Sequence, residues 1–261
     1  MSNLALSYAA QARAAIRSSA ANRAGFLLQA GAMVTNNIFI LAMWFLFFAG
    51  FKSVGGWRMA DMALLNALLA LIIGGAGILA GGYRDMAKQI LAGIPDALLT
   101  QPKPVLPRLL ANDSSVTGWG DIVTGSLLLF TVANVGWSNA GWVAFALVCG
   151  FIVYVSTATM FACIAFWAGG ARSFSRDLTD FLITFSFYPG SIYGGTLKLV
   201  TFTVFPAAFI TLIPVALIRA ADWRQALILG AATLVYAGAS MILFKTGLRR
   251  YQRGESPIDG D

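Results

Sequence analysis

Residues 122–171 read IVTGSLLLFTVANVGWSNAGWVAFALVCGFIVYVSTATMFACIAFWAGGA, fifty residues without a charged side chain. A transmembrane helix needs about 20 apolar residues to cross the hydrocarbon core, so this stretch is too long for a single crossing. Its interior break is GWSNAGW at residues 136–142, where glycine and asparagine favour a turn and tryptophan suits a membrane interface. The stretch therefore predicts a helical hairpin in a membrane, with spans near residues 121–137 and 141–169.

The composition of the whole chain also indicates a membrane environment. Of its 261 residues, 58% are hydrophobic and only 11% are charged, whereas soluble domains carry roughly 25% charged residues. So few charged side chains cannot cover the surface of a water-soluble domain of this size. Lipid is therefore the expected solvent for most of the surface. The net charge of +7 is expected from basic cytoplasmic loops, and we expect no nucleic-acid partner.

Several kinds of chemistry are excluded by residues that the sequence lacks. Histidine is absent, which excludes a His-ligated metal site, a Ser-His-Asp triad and an imidazole proton relay. The two cysteines, Cys149 and Cys163, are fourteen residues apart in one apolar stretch, about 21 Å along a helix and too far for a disulfide. No lysine directly follows a glycine, so the phosphate-binding sequence G-x-x-x-x-G-K-[ST] is missing. We expect no enzyme, no metal and no cofactor in this chain.

Further charge-free stretches predict the other membrane spans, at residues 24–51, 62–83, 181–197, 199–218 and 225–244. Basic residues favour the cytoplasmic side, which places both the N-terminal arginines and the tail at residues 245–261 in the cytoplasm. Two cytoplasmic ends require an even number of crossings. The segment at about residues 189–218 is rich in the helix breakers proline and glycine, so we expect a re-entrant pair of half-helices entered from the outer face.

The predicted fold is therefore an all-α membrane protein with six transmembrane helices over residues 24–261 and a re-entrant pair before the last span. This topology places thirteen lysines and arginines inside and five outside, as the positive-inside rule expects. Residues 1–23 predict an N-terminal amphipathic helix that lies on the cytoplasmic leaflet and contacts lipid. The glycines at positions 74, 75, 77, 81 and 82 predict close helix packing within the second span.

The acidic residues argue against two other classes of membrane protein. In the predicted topology all eleven, Asp121 among them, fall in loops or at the ends of spans. An ion-coupled transporter usually carries ionisable groups in the middle of the membrane. A lipid-modifying enzyme would need clustered acids for metal and phosphate chemistry. The sequence favours neither class.

The longest hydrophilic stretch, residues 84–120, contains QILAGIPDALLTQPKPVLPRLL. It places Ile94, Leu98 and Leu99 beside Asp96 on a short helix that stops at Pro102. Exposed apolar residues on a short cytoplasmic helix suggest docking to a soluble partner. The alternative is a solvated structural loop.

Two segments of this region resemble motifs of a known family, and they occur in the same order as in that family. They are GIPDALLTQP at residues 93–102 and GDIVTGSLLL at residues 120–129. They are similar to the G-x-L-D-x-L-L-x-x-P and G-D segments of ABC transporter permeases of the ABC-2 type. The segments FYPGSIYGGTLK, FPAAFITLIPVALI and GLRRYQRGES resemble the Y-P, P…P and G-L-R-R-Y elements of a bacterial six-span group in that family. The resemblance covers nearly the whole chain.

This resemblance implies a permease subunit of an ATP-binding cassette transporter in the bacterial inner membrane. Two such subunits, identical or related, would stand on two cytoplasmic ATPase subunits that bind ATP and Mg. Residues 93–102 would form the coupling helix, with contacts from Gly93, Ile94, Asp96, Leu98, Leu99 and Pro102. We expect export of an amphipathic, lipid-like, glycan or drug-like substrate. Import through the same fold and a non-transporting membrane scaffold are the alternatives.

Uncharged polar side chains inside the spans are the candidates for a transport path. They are Asn36, Asn37, Asn66, Ser186 and Tyr188. Asparagine and serine also hydrogen-bond between packed helices, so a purely structural role is the alternative for each of them.

Overall fold

The computed structural model describes residues 2–51, 53–94, 96–100 and 103–255, without the side chains of residues 2–7, 96 and 97. These described residues form helices joined by loops, with an isolated bridge between Val54 and Trp57. Four of the described helical stretches are long and apolar enough to cross a membrane: Arg23–Gly50, Met59–Leu91, Trp137–Phe166 and Trp223–Gln252. The prediction of an all-helical membrane protein is confirmed in this respect, while the count of six spans stays a prediction.

Twelve α-helices are described in chain order. They are α1 Ser2–Ser19, α2 Arg23–Gly50, α3 Met59–Ala80, α4 Met86–Leu91, α5 Asp96–Leu99, α6 Val105–Leu110, α7 Thr117–Thr131, α8 Ala140–Cys163, α9 Ala171–Ser186, α10 Gly195–Phe202, α11 Ile213–Ala220 and α12 Trp223–Gln252. Short 3₁₀ turns at Gly81–Asp85 and Ile164–Phe166 extend α3 and α8, and a π-helical turn at Ala208–Leu212 precedes α11.

The helical hairpin predicted from residues 122–171 is present as α7 and α8, with its turn displaced. Helix α7 ends at Thr131 rather than at residue 137, and α8 begins at Ala140. Asn134 has a φ of 51°, in the left-handed region that asparagine tolerates better than most residues and that no α-helix continues through. The turn therefore starts before the GWSNAGW segment.

The charge-free stretch at residues 181–197 does not form one helix. Helix α9 starts ten residues earlier, at Ala171, and ends at Ser186. Its charged side chains Arg172, Arg176 and Asp177 are exposed, whereas Leu182 is fully buried. The first half of α9 is amphipathic, and its charged residues interrupt the uncharged run. The start predicted from that run is therefore ten residues too late.

Between α9 and α12 the chain folds back on itself around Phe205. The Phe205 ring centroid lies 5.7 Å from that of Phe161, near the end of α8, and 5.3 Å from that of Phe185. After the turn, α11 runs to Arg219, whose Nε donates to Oδ1 of Asp61 at 3.0 Å, at the start of α3. This shape suits the re-entrant pair expected from the sequence, and its position relative to a membrane stays a prediction.

Helix α3 is the central helix of the bundle and approaches α7 backbone to backbone. It is buried continuously from Met62 to Leu69. A Cβ added at Gly74 would lie 2.7 Å from the carbonyl oxygen of Gly118. One added at Gly82 would collide with the carbonyl oxygen of Leu109. The predicted packing role is therefore confirmed at Gly74 and Gly82.

Helix α2 is far less buried than α3. Only Trp44 of α2 is buried, whereas Leu28, Phe39 and Leu46 are each more than two-thirds exposed. A face this apolar is unsuited to water, and it fits lipid or another apolar protein surface.

Both described chain ends lie at one end of the bundle, which we name the terminal face. Tyr8 of α1 donates its hydroxyl to the carbonyl oxygen of Leu79 at 2.6 Å, near the end of α3. Tyr251 of α12 accepts from the backbone N–H of Ile94 at 2.8 Å, shortly after α4. The ion pair between Asp61 and Arg219 lies at the opposite end, which we name the distal face.

Candidate functional site

A cavity of about 400 Å³ lies between α2, α3, α7 and the end of α9, and we name it the central cavity. Most of its wall is apolar, with Leu69 and Ile73 of α3 among the lining residues. Six polar side chains interrupt this wall: Asn36, Asn37, Asn66, Arg84, Thr117 and Asp121. The structure thus brings three of the predicted path residues, all asparagines, to one cavity.

Asn37 and Asp121 join α2 to α7 at this cavity. Asn37 Nδ2 donates to Oδ1 of Asp121 at 2.8 Å and to Oγ1 of Thr124 at 2.8 Å. Asp121 is only 3% exposed and lies inside α7. The assignment of every acid to loops or span ends therefore misses one buried carboxylate. An ionisable side chain buried in a membrane helix bundle is a functional candidate because its burial is costly.

The sequence signal that could have located Asp121 is the pair of glycines around it, in GDIVTG. A Cβ at Gly120 would lie 2.5 Å from the carbonyl oxygen of Ala30 in α2, and one at Gly125 would lie 2.9 Å from that of Ala67 in α3. These two close approaches enclose the first turns of α7 between neighbouring helices. Asp121 is buried as a result.

Asn66 contributes an unpaired hydrogen-bond acceptor to the central cavity. Its side chain is 6% exposed, and its Nδ2 donates to the carbonyl oxygen of Met62 at 2.8 Å. Only the amide nitrogen can donate to a carbonyl, so the orientation of this amide is fixed by chemistry. Its Oδ1 is buried and has no hydrogen-bond partner within the described part of the chain.

Arg84 lies where the central cavity meets a second cavity of about 450 Å³, which we name the terminal cavity because it opens beside α9 at the terminal face. The Nε of Arg84 donates to the hydroxyl of Tyr83 at 3.1 Å, and Nη1 donates to Oγ of Ser115 at 3.1 Å. The walls of the terminal cavity are rich in charge, including an ion pair of 3.2 Å between Arg176 and Asp85. Arg84 and Ile183 line both cavities, so the terminal and central cavities adjoin at these two side chains.

The other two predicted path residues lie elsewhere. Ser186 is fully buried, donates to the carbonyl oxygen of Leu182 at 2.8 Å, and accepts at its own carbonyl from Thr211 at 3.1 Å. These contacts match the helix-packing alternative for this residue. Tyr188 lines a separate apolar cavity of about 280 Å³ with Trp44 near the distal face.

The described residues of the segment 93–102 are attached to the end of the last helix. Gly93 has a φ of 96°, a conformation that glycine adopts readily and other residues do not, and it ends the path of α4. The next residue, Ile94, is buried, and its N–H donates to Tyr251. Leu98 and Leu99 are half-buried in the same apolar cluster.

This apolar cluster, which we name the terminal cluster, also contains Phe166 after α8 and Phe244 of α12. The expectation that Ile94, Leu98 and Leu99 stand exposed needs correction, because the terminal cluster covers most of their apolar surface. Two of the predicted contacts, Pro102 and the side chain of Asp96, lie outside the described residues.

We expect Tyr251→Phe to loosen residues 93–102. The substitution keeps the ring, which lies 6.4 Å from that of Phe166, but leaves the N–H of Ile94 without its acceptor. Leaving a buried donor unpaired costs about 1–3 kcal/mol. The measurement is hydrogen–deuterium exchange of the backbone amides of residues 93–100, together with thermal unfolding in detergent. Tyr188→Phe is the control because its hydroxyl makes no hydrogen bond to the described residues. Equal exchange rates of these amides in the two variants would contradict the prediction.

The bundle of apolar helices and the polar cavities inside it define a polytopic helical membrane protein. The chain belongs to a family described as ABC-2 family transporter protein, whose sequence model matches residues 34–254. Membership implies an ABC transporter permease, a membrane subunit that associates with ATP-binding cassette components. This match confirms the resemblance seen in the sequence. The matched residues include Tyr251 and the polar residues that line both cavities. No curated protein and no solved structure gives a match.

Proposed function

We propose that this chain is the permease subunit of an ATP-binding cassette exporter in the bacterial inner membrane. Its substrate is amphipathic: lipid-like, a glycan or drug-like. A separate cytoplasmic subunit binds and hydrolyses ATP with Mg²⁺, and a second permease subunit, identical or related, completes the transporter. The terminal face is cytoplasmic, six helices span the membrane, and the exposed apolar face of α2 contacts lipid or the second permease.

The observation that carries this proposal is the attachment of Ile94, Leu98 and Leu99, within residues 93–102, to α12 and the terminal cluster. The hydrogen bond from Ile94 to Tyr251 fixes this segment to the end of the last helix. The terminal cluster joins it to Phe166 at the end of α8 as well. Close-packed interiors transmit displacement because they have little free volume. A movement that an ATPase subunit imposes on residues 93–102 would therefore reach two of the long helices.

The two adjoining cavities would supply the route. A substrate would enter the terminal cavity from the cytoplasm or the inner leaflet, pass Arg84 and reach the central cavity beside Asn36, Asn37 and Asn66. The polar side chains would contact its head group, and the apolar wall would contact its hydrocarbon part. Tyr188 would meet the substrate only later, near the distal face.

Affinity purification of the tagged chain from its native membrane tests the partner. We expect an ATP-binding cassette subunit to co-purify with the unmodified chain and to be lost on Asp96→Lys and on Leu99→Lys, because both changes place a positive charge within residues 93–102. Loss of at least 90% of the bound ATPase, about 1.4 kcal/mol of binding free energy, is the expected size. Leu99 is half-buried, so size-exclusion chromatography of each variant checks that it is folded.

The matched control is Asn112→Lys, an exposed position in the same loop but outside residues 93–102. It should retain the ATPase. Absence of any ATPase from every sample would contradict the proposal and favour a non-transporting scaffold. Accumulation of substrate inside right-side-out vesicles on addition of internal ATP would favour import instead of export.

A further inference from the structure

A groove of about 480 Å³ lies between α6 and α12, and we name it the lateral groove. Residues 103–107 form one wall, and Met241, Phe244, Lys245 and Leu248 of α12 form the other. Most of the lining is apolar, and its charged members are Lys103 and Lys245. No carboxylate lines the groove within the described part of the chain. The lateral groove therefore combines an apolar wall with two ammonium groups.

Lys245 lies where the uncharged part of α12 ends. Residues 225–244 are 20 residues without a charged side chain, and a helix of that length is about 30 Å long, the thickness of the hydrocarbon core. The exposed Trp223, just before this run, suits a membrane interface at the other end. A membrane around this run places Lys245 at the level of the lipid head groups. Met241, one turn earlier, is then at the level of the acyl chains.

The lateral groove lies beside an outward-facing part of α12. Met241 and its neighbour Ile242 are exposed, whereas Phe244, which also lines the groove, is buried. Lys103 and Lys245 are both exposed. Lysine side chains in such positions lay their methylene stems along apolar surface and direct the ammonium group to the head groups. The groove is therefore accessible from the bilayer.

We infer that the lateral groove binds a phospholipid with an anionic head group. The ammonium groups of Lys103 and Lys245 attract its phosphate, and an acyl chain lies along Met241 and Phe244. Basic pockets between membrane helices are suited to anionic lipids, because each lysine adds attraction for the head group. A zwitterionic lipid brings a positive charge of its own and is held less tightly. The inference takes α12 to cross the membrane, and it is independent of the ATPase partner and of the transported substrate.

Native mass spectrometry of the delipidated chain in a mild detergent tests this inference. The probes are dioleoyl phosphatidylglycerol, dioleoyl phosphatidylcholine and glycerol 3-phosphate. We expect the first phosphatidylglycerol to bind about tenfold or more tightly than phosphatidylcholine, because a lysine near an anionic lipid contributes about fivefold in affinity. Glycerol 3-phosphate has the phosphate without the chains and should bind about tenfold or more weakly than phosphatidylglycerol, since it buries no methylene groups. Equally tight binding of glycerol 3-phosphate would indicate a site for free phosphate and overturn the inference.

Lys103→Gln and Lys245→Gln test the contribution of the two charges. Each should weaken the binding of phosphatidylglycerol about fivefold and leave that of phosphatidylcholine unchanged. Lys88→Gln is the matched control, because Lys88 is an exposed lysine of α4 that does not line the groove. Equal weakening in all three variants would overturn the inference, since it would show a general attraction of lipid to a basic surface.

Met241→Trp and Ile242→Trp test the apolar wall as a matched pair. Both residues are exposed on α12, but Met241 lines the lateral groove and Ile242 does not. The larger ring at position 241 should fill the groove and weaken phosphatidylglycerol binding about tenfold, because excluding two methylene groups from contact is enough for this effect. Tryptophan at position 242 should leave binding unchanged.

Equal affinity for phosphatidylglycerol and phosphatidylcholine would overturn the inference, as would full phosphatidylglycerol binding in Met241→Trp. The comparison of probes on the unmodified chain decides the matter even if a variant does not fold. A purified chain that forms a dimer, binds no phosphatidylglycerol and becomes monomeric on Met241→Trp would also overturn the inference. That result would assign the lateral groove to a second copy of the chain.

Discussion

Gly82→Ala should destabilise the protein by about 3 kcal/mol or more, which is at the upper end of the usual cost of overpacking a core. The added methyl group would collide with the carbonyl oxygen of Leu109. It would also lie 2.9 Å from the carbonyl carbon of Leu109 and 3.0 Å from the carbonyl oxygen of Leu110. These obstacles are backbone atoms, so no side-chain rotation relieves the collision. The turn after α3 and helix α6 would have to separate.

Thermal unfolding in detergent and the yield of monodisperse protein are the measurements for Gly82→Ala. The control is Gly75→Ala in α3, where the new methyl group would meet only the Phe151 ring, at 3.8 Å. Alanine is favoured over glycine in a helix by about 1 kcal/mol, so Gly75→Ala should be neutral or slightly stabilising. A melting temperature for Gly82→Ala equal to that of its control would show that α6 moves freely and that this close approach contributes little.

Asp121→Asn should lower substrate-stimulated ATPase activity of the assembled transporter about 10- to 100-fold, because a hydrogen bond to a charged group contributes about 1.5–3 kcal/mol. The amide oxygen can still accept from Asn37, so the contact between α2 and α7 is retained and only the charge is lost. The ATPase subunit should co-purify as before. The measurement is the stimulation of ATP hydrolysis when lipid extracted from the native membrane is added to the complex in nanodiscs.

Asp177→Asn is the matched control for Asp121→Asn, because Asp177 is exposed on α9 and lines neither cavity. It removes the same charge and should leave stimulation unchanged. Full stimulation in Asp121→Asn would mean that the carboxylate serves only to hold α2 against α7. Loss of the ATPase subunit from Asp121→Asn would instead indicate a folding defect.

The sequence located α2 within one residue at each end, since residues 24–51 correspond to Arg23–Gly50. Helix α3 and the hairpin of α7 and α8 were also recognised from their uncharged runs. Helix α9 was not, because the charged side chains of its first half lie on its exposed face. A run of uncharged residues reports a helix surrounded by apolar groups, and an amphipathic helix gives no such run.

The candidate site was found in part. Asparagine is rare in the apolar spans of this sequence, and that rarity marks Asn36, Asn37 and Asn66 as candidates. The same criterion does not mark Asp121, because this residue is next to a charge-free run rather than within one. Ser186 is also an uncharged polar residue in an apolar stretch, yet its hydroxyl donates to the carbonyl oxygen of Leu182 within its own helix.

The sequence by itself determined that this protein is a helical membrane protein, and its motifs indicated the ABC-2 family. Both follow from local properties, since about 20 successive side chains decide whether a helix is stable in lipid. The tertiary structure alone decided which polar groups meet. Asn37 and Asp121 are 84 residues apart, and Ile94 and Tyr251 are 157 residues apart. Such contacts depend on how closely helices approach and which faces they turn to each other, and hydropathy carries no information about either.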